Sequence, residues 1–326
     1  MPHHDPQLLL ELLGPDARPC RRALSGKSGI ALPPLHDHHV HLHLIDERQL
    51  ALHGIAAVVD LGGDPVALAR RPSHSFPRTA YAGAFLTAPG GYPTGRGWAP
   101  DAVVHHVTDP STHPGVSGGA GTAVDEQAAC GVSVIKVALN RTAGPVFELD
   151  TLRAIASAAH ARGLPVVAHV EGPGMMSLAL DAGVDALAHA PFSEWLDGAS
   201  IARAHALGQW WISTLAIHEG ADAERAAINL ATFAGIGGRV LYGTDLGNGE
   251  RPDGIQRDEL TALDTAGVRG PALIAALTDP WPVAESAHGV TTFVPGPPPD
   301  HLDAVPAWLA GATVVPTEEL IHDDHR

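Results

Sequence analysis

The chain has 326 residues, 45% hydrophobic and 17% charged, enough apolar material for a sizeable core and a composition that excludes a disordered chain. Its formal charge of −16 excludes the basic surface of a nucleic-acid binder, and its two cysteines, Cys20 and Cys130, exclude a disulfide framework. No apolar run approaches the roughly 18 residues of a membrane helix, and residues 1–15 lack the basic start and apolar stretch of a secretion signal, so a soluble cytoplasmic protein is expected, acting on a small molecule, with no nucleic-acid or membrane partner and with a homo-oligomer left open.

Residues 1–33 are Pro-rich and irregular, with a short helix expected over 7–13. Short apolar runs then predict strands over 35–41, 55–61, 79–86, 132–139, 165–169, 184–189, 210–215 and 239–243. Helical periodicity fills the gaps over 149–162, 175–182, 201–207 and 221–233, and continues over 257–266 and 271–277. Leu149, Leu152, Ile155, Ala156 and Ala159 share one face of the first of these helices, and Gly163 follows as a stop. Eight strands alternating with helices predict a parallel α/β architecture, either a closed (β/α)8 barrel or a doubly wound open sheet. The 45-residue gap after the third strand is rich in Gly, Pro and His; in a barrel it belongs to the C-terminal face, where active sites are built. The expected organisation is an N-terminal extension over 1–33, a hydrolase barrel over 34–290 and a C-terminal extension over 291–326.

Of 21 histidines, a few stand where chemistry would need them. The first strand reads Leu35-His36-Asp37-His38-His39-Val40-His41-Leu42-His43. Side chains alternate across a strand, so His39 and His41 face the same way and can chelate one ion. By spacing alone His36/His38 and His41/His43 could do the same. Lys136 lies inside the fourth strand, where a buried ammonium is costly. A carboxylate partner, a lowered pKa or carbamylation by carbon dioxide would relieve it. The fifth and sixth strands end in His169 and His189, and the eighth leads into Asp245. In a barrel these strand ends converge on one pocket.

Taken together, these stretches resemble the amidohydrolase superfamily, in its imidazolonepropionase-like and prolidase-like branch. Asp37-His38-His39-Val40-His41 resembles the superfamily's D-x-H-x-H signature, and Gly131-Val132-Ser133-Val134-Ile135-Lys136 resembles its strand-four motif with a carboxylated lysine. Ala159–His169, Leu180–His189, Gly243-Thr244-Asp245 and Ala272–Pro280 resemble the approaches to strands five and six, the strand-eight turn and the helix after it. The resemblance covers about residues 34–285. It implies a distorted (β/α)8 TIM barrel and selects His39 and His41 over the other histidine pairs. It further implies two divalent metal ions, zinc being expected, held by His39, His41, Lys136, His169, His189 and Asp245, with carbon dioxide carried on Lys136 and Asp245 as catalytic base and acid. The family's flanking β-sandwich is expected to be reduced or absent, since neither chain end offers a clear strand pair.

The implied activity is metal-dependent hydrolysis of an amide or cyclic-amide C–N bond. A mononuclear deaminase-like hydrolase, a lactone or ester hydrolase of the same fold, and a non-catalytic metal binder stand as alternatives. Tyr92, Arg141 and His218, on loops after strands three, four and seven, are expected to contact substrate. Gly115-Val116-Ser117-Gly118-Gly119 matches the G-x-S-x-G pattern of serine hydrolases but lies between prolines and glycines, without the strand and helix that motif requires. Gly26-Lys27-Ser28 lacks the earlier glycine of a phosphate-binding loop.

Overall fold

The computed structural model describes residues 5–72, 76–283 and 287–322. Helix α1 (Pro6–Leu13), capped by the Asp5 side chain, leads into strands β1 (Arg18–Arg22) and β2 (Ser28–Leu32). Then come β3 (His36–Val40), α2 (Arg48–Leu52), β4 (Ala57–Asp60), α3 (Pro65–Ala69), β5 (Arg78–Tyr81), β6 (Phe85–Thr87) and β7 (Val104–His106). Helix α4 (Ala120–Ala129) precedes β8 (Ile135–Asn140), α5 (Leu149–His160), β9 (Val166–Glu171), α6 (Met175–Ala182), β10 (Ala186–Leu187) and α7 (Gly198–Ala206). Next are β11 (Trp210–Ile212), α8 (Gly220–Gly235), β12 (Arg239–Leu241), α9 (Arg257–Thr265) and α10 (Pro271–Thr278). The chain closes with β13 (Val290–Pro295), α11 (Val305–Leu309), β14 (Thr313–Pro316) and β15 (Leu320–His322). Among the described residues no helix is long and apolar enough to cross a membrane.

The predicted parallel α/β architecture is present, but as two open sheets. One runs β3-β4-β5, the other β12-β11-β10-β9-β8-β6-β7, and every pairing within them is parallel. Single backbone hydrogen bonds bridge them. Ser133 N, just before β8, donates to Tyr81 O of β5 (2.8 Å) on one side. On the other, His38 N donates to Tyr242 O (3.0 Å) and His41 N to Leu246 O (2.8 Å).

The third strand, expected as one run over 79–86, is broken into β5 and β6. Gly83 stands in the break at φ +70°, and a Cβ there would lie 2.3 Å from Gln127 Oε1, the atom that accepts from Ala84 N. Inside the long gap that follows, the sequence reading missed α4, whose small residues Ala120, Gly121 and Ala123 are buried but carry little amphipathic contrast.

Side-chain alternation sorts each strand into two faces. On β9, Val166, Ala168 and Val170 pack outward with Leu152, Ile155 and Ala159 of α5, whereas Val167 points inward. On β8, Ile135, Val137 and Leu139 face the helices, which leaves Lys136 on the inner side. Val59, Val134, Val167, Ala186, Ile212 and Leu241 form a single inner cluster drawn from both parallel sheets.

The chain ends correct a second expectation. The β layer read as reduced or absent is present as a five-stranded antiparallel sheet, β14-β13-β2-β1-β15, built from both termini. Its strands are short and mixed in character, β1 being Arg-Pro-Cys-Arg-Arg, so no period-two pattern announces them.

Candidate metal and active site

The inward face that carries Val167 carries His169 and Glu171 two and four residues later, at the C-terminal end of β9. Asn140 ends β8, His189 follows β10, and Asp245 follows β12. His169, Glu171, His189 and Asp245, together with His39 on β3 and His41 just after it, border a cavity of about 210 Å³, and Asn140 stands behind Glu171. All six expected ligand positions, His39, His41, Lys136, His169, His189 and Asp245, line it, as do Tyr92 and His218. Arg141 does not; it is exposed on the turn after β8.

The histidines are held from behind. His39 Nδ1 lies 2.8 Å from Ala188 O, and His41 Nδ1 lies 3.1 Å from Gly62 O. An Nδ1–H donated to a carbonyl leaves the lone pair on Nε2, the arrangement that metal-binding imidazoles use. His189 Nδ1 is 2.9 Å from Thr214 Oγ1. Both Nε2 atoms of the first strand meet Asp245 Oδ1, at 3.1 Å from His39 and 3.2 Å from His41. Yet Oδ1 is buried with no hydrogen bond of acceptable geometry, while Oδ2 accepts from Asn248 Nδ2 at 2.9 Å. His39, His189 and Asp245 each offer a ligand atom within 4.8 Å of the others. A buried carboxylate oxygen left unbonded among imidazole lone pairs is a donor set that fits a divalent cation.

The alternatives left open by spacing are resolved by position. Both ring nitrogens of His38 are engaged by main-chain oxygens, Tyr242 O at 2.8 Å and Asp279 O at 2.9 Å. His36 sits away from the rim beside Trp281, lining a different cavity. His43 is exposed, with Nε2 3.3 Å from Trp98 O.

Burial sets the electrostatics. It lowers the pKa of His39, His169 and His189, keeping them neutral and able to coordinate. At His41 burial is outweighed by the Asp245 carboxylate and the Asp60 charge, and the pKa rises. Burial would raise Asp245, but the surrounding His39, His41 and His189 hold its carboxyl well below the usual range. Lys136, 1% exposed, is pulled down to about 7 by burial, which the Asp245 and Asp60 charges only partly offset. Its Nζ lies 5.6 Å from the Phe85 ring centroid.

The backbone is strained where the site is built. Thr214 (φ 41°) and Asp245 (φ 54°) are the two non-glycine residues in the left-handed region among those described. Glu259, fully buried on α9, anchors the first of them by accepting from Leu215 N (2.9 Å) and Ala216 N (2.7 Å). Asp37 ties β3 to the Asp245 turn by accepting from His39 N (3.0 Å), Thr244 N (3.1 Å) and Thr244 Oγ1 (2.5 Å). Despite those donors, burial raises the Asp37 pKa to about 7.

Sequence reasoning missed Glu171. Its Oε2 lies 3.1 Å from His169 Nε2 and accepts from Asn140 Nδ2 at 2.6 Å, and its Oε1 accepts from Thr142 Oγ1 at 2.8 Å. The i, i+2 spacing that singled out His39 and His41 was equally present at His169 and Glu171. Phe85 and Phe192 complete the wall; the His218 ring stacks on Phe192 with centroids 4.2 Å apart, and the Tyr92 ring on His169 at 5.0 Å.

No family model and no curated protein sequence matches the chain. Solved structures do. A Xaa-Pro dipeptidase with methionine bound in its active site shares 18% identity over 90% of this chain and 87% of that one, with a TM-score of 0.67. A prolidase complexed with N-methylphosphonate-L-proline shares 19% identity over 90% and 87%, TM-score 0.64. Molinate hydrolase shares 15% identity over 89% and 83%, TM-score 0.64. The fold of the chain is therefore one found among amidohydrolases.

Proposed function

We propose that the chain is a metal-dependent hydrolase that cleaves an amide or cyclic-amide C–N bond of a small molecule. The two parallel sheets then read as an opened, distorted (β/α)8 barrel whose rim carries the site. The observation that carries the reading is the convergence of four imidazoles and the unbonded Asp245 Oδ1 on one cavity, above a buried lysine. The shared fold with hydrolases of amide and related bonds supports it.

Two divalent ions, zinc being expected, would be held by His39, His41, His169, His189, Asp245 and the carbamate of Lys136, and would supply Lewis acidity and a water acidified towards neutrality. Lys136 suits the carbamate role because carbon dioxide adds only to a neutral amine, and burial makes that form available near pH 7. Asp245 takes the proton of the attacking water and delivers it to the departing nitrogen. His218 Nε2, buried and without a hydrogen-bond partner, and the Tyr92 hydroxyl, kept protonated by burial, are placed to hold the substrate carbonyl and leaving group.

A one-ion site with an unmodified Lys136 amine is the second reading, favoured by the compactness of the His39, His189 and Asp245 triad. Elemental analysis decides between them: two ions per chain support the bridged site, one ion the alternative, and none removes both. Hydrolysis is screened in parallel on N-acyl amino acids, Xaa-Pro dipeptides, cyclic amides and lactones. Lys136→Ala is expected to lower metal content and activity together, with partial recovery on adding a short carboxylate. Unchanged loading in that variant would remove the bridging role.

A further inference from the structure

Set aside the six positions that hold metal, and the remaining wall of the cavity is small and one-sided. Phe85, Tyr92, Phe192 and Ile217 supply its apolar surface, and Glu171, His218 and Asn248 its polar groups, the Asn248 amide being turned to Asp245 Oδ2 (2.9 Å). Glu171 is the sole formal charge among these, with its side chain 27% exposed. No arginine lines the cavity among the described residues. Two nearby arginines are engaged elsewhere: Arg225 of α8 donates to Phe192 O (2.7 Å) and to Asp222, and Arg251 donates to Ala216 O. Arg96 lies on an exposed turn with its guanidinium 5.9 Å from the Tyr92 ring centroid.

A site that receives a substrate carboxylate needs a fixed cation or a fork of donors to replace the water it strips away. Apart from the metal ions, which the scissile group would occupy, this wall offers neither, and it adds the Glu171 carboxylate. At about 210 Å³ the cavity is also below the usual 300–1,000 Å³ of drug-sized pockets. We infer that the substrate is a small amide or carbamate with an aromatic or apolar group against Phe85, Tyr92 and Phe192 and no free carboxylate, and that Glu171 enforces this by repelling anions and favouring a protonated amine. The inference rests on the hydrolytic reading of this cavity and narrows it to one substrate class.

The test uses acetanilides that differ only at the para position: methyl, aminomethyl (cationic) and carboxyl (anionic). Dissociation constants are measured by calorimetry on the full, metal-loaded chain, and turnover is followed separately. The cationic member is expected to bind at least tenfold more tightly than the carboxylate, with the methyl compound between them. In Glu171→Gln that spread should shrink to under threefold; because it is a ratio, a general loss of affinity in the variant cancels. A carboxylate that binds as tightly as the methyl compound, a spread unaltered in Glu171→Gln, or no binding by any member would overturn the inference. The expected ranking without hydrolysis of any member would leave the charge preference standing and remove the hydrolytic reading instead.

Discussion

A buried ammonium and a buried amine differ by one proton, and at Lys136 burial moves the balance between them to about pH 7. The unfolded chain keeps that proton up to the ordinary lysine value of 10.5, so between these limits the unfolded state binds more protons than the folded one. Stability of the metal-free chain should therefore rise as pH rises from about 7 to 10.5, and urea unfolding should show Lys136→Met to be flat across this window. Asp245→Asn is expected to keep the fold, because asparagine tolerates the left-handed backbone found there. It should still lower kcat by about 10²- to 10⁴-fold, the usual worth of a general acid–base group, as read by steady-state kinetics beside an unchanged circular dichroism spectrum. At this scale His169, His189 and Asp245 were legible because each follows an apolar run, Lys136 because a cation interrupts one, and His39 and His41 because they share a strand face. Glu171 was missed although it shares the i, i+2 spacing with His169, because a carboxylate just past the last apolar residue of a strand also fits a solvent-facing end. Arg141 drew attention by chemical type alone, and burial does not bring it to the cavity.

Among elements, the segment after β11 depends most on a distant partner. Glu259 reaches from α9 to cap two amides of the turn that carries Thr214, and Thr214 Oγ1 meets His189 Nδ1. Removing the carboxylate strands both buried amides. At about 1–3 kcal/mol for each unsatisfied group, Glu259→Ala should lose roughly 2–6 kcal/mol in urea unfolding. The regular helices were readable from the sequence: α6 spans 175–182 as expected, and α5 starts at Leu149 and ends two residues early. The breaks were not. The division of the third strand depends on the approach of Gly83 to Gln127, which are 44 positions apart, and local periodicity carries no trace of such a contact.

For the whole molecule, the alternation of strands and helices disclosed the parallel architecture, but not the sheet formed by the termini, where β1 and β15 pair about three hundred positions apart. Deleting the chain from residue 311 onward would remove β14 and β15, leave β13 and β1 as unpaired edges, and strip Ala312 from the core against Gly54. The expected outcome is a lower melting temperature with concentration-dependent light scattering on heating. An unchanged melt would mean that the terminal sheet is independent of the rest.

Cys20 faces His322 and Arg22 faces Leu320, so the start of β1 and the finish of β15 lie at the same end of an antiparallel pair. Tension applied to the two termini would load that ladder like a zipper, one rung after another, rather than all rungs at once in shear. A motor or protease that grips the C-terminal tail would thus peel the edge strand β15 away first, while the imidazoles around the cavity kept their places.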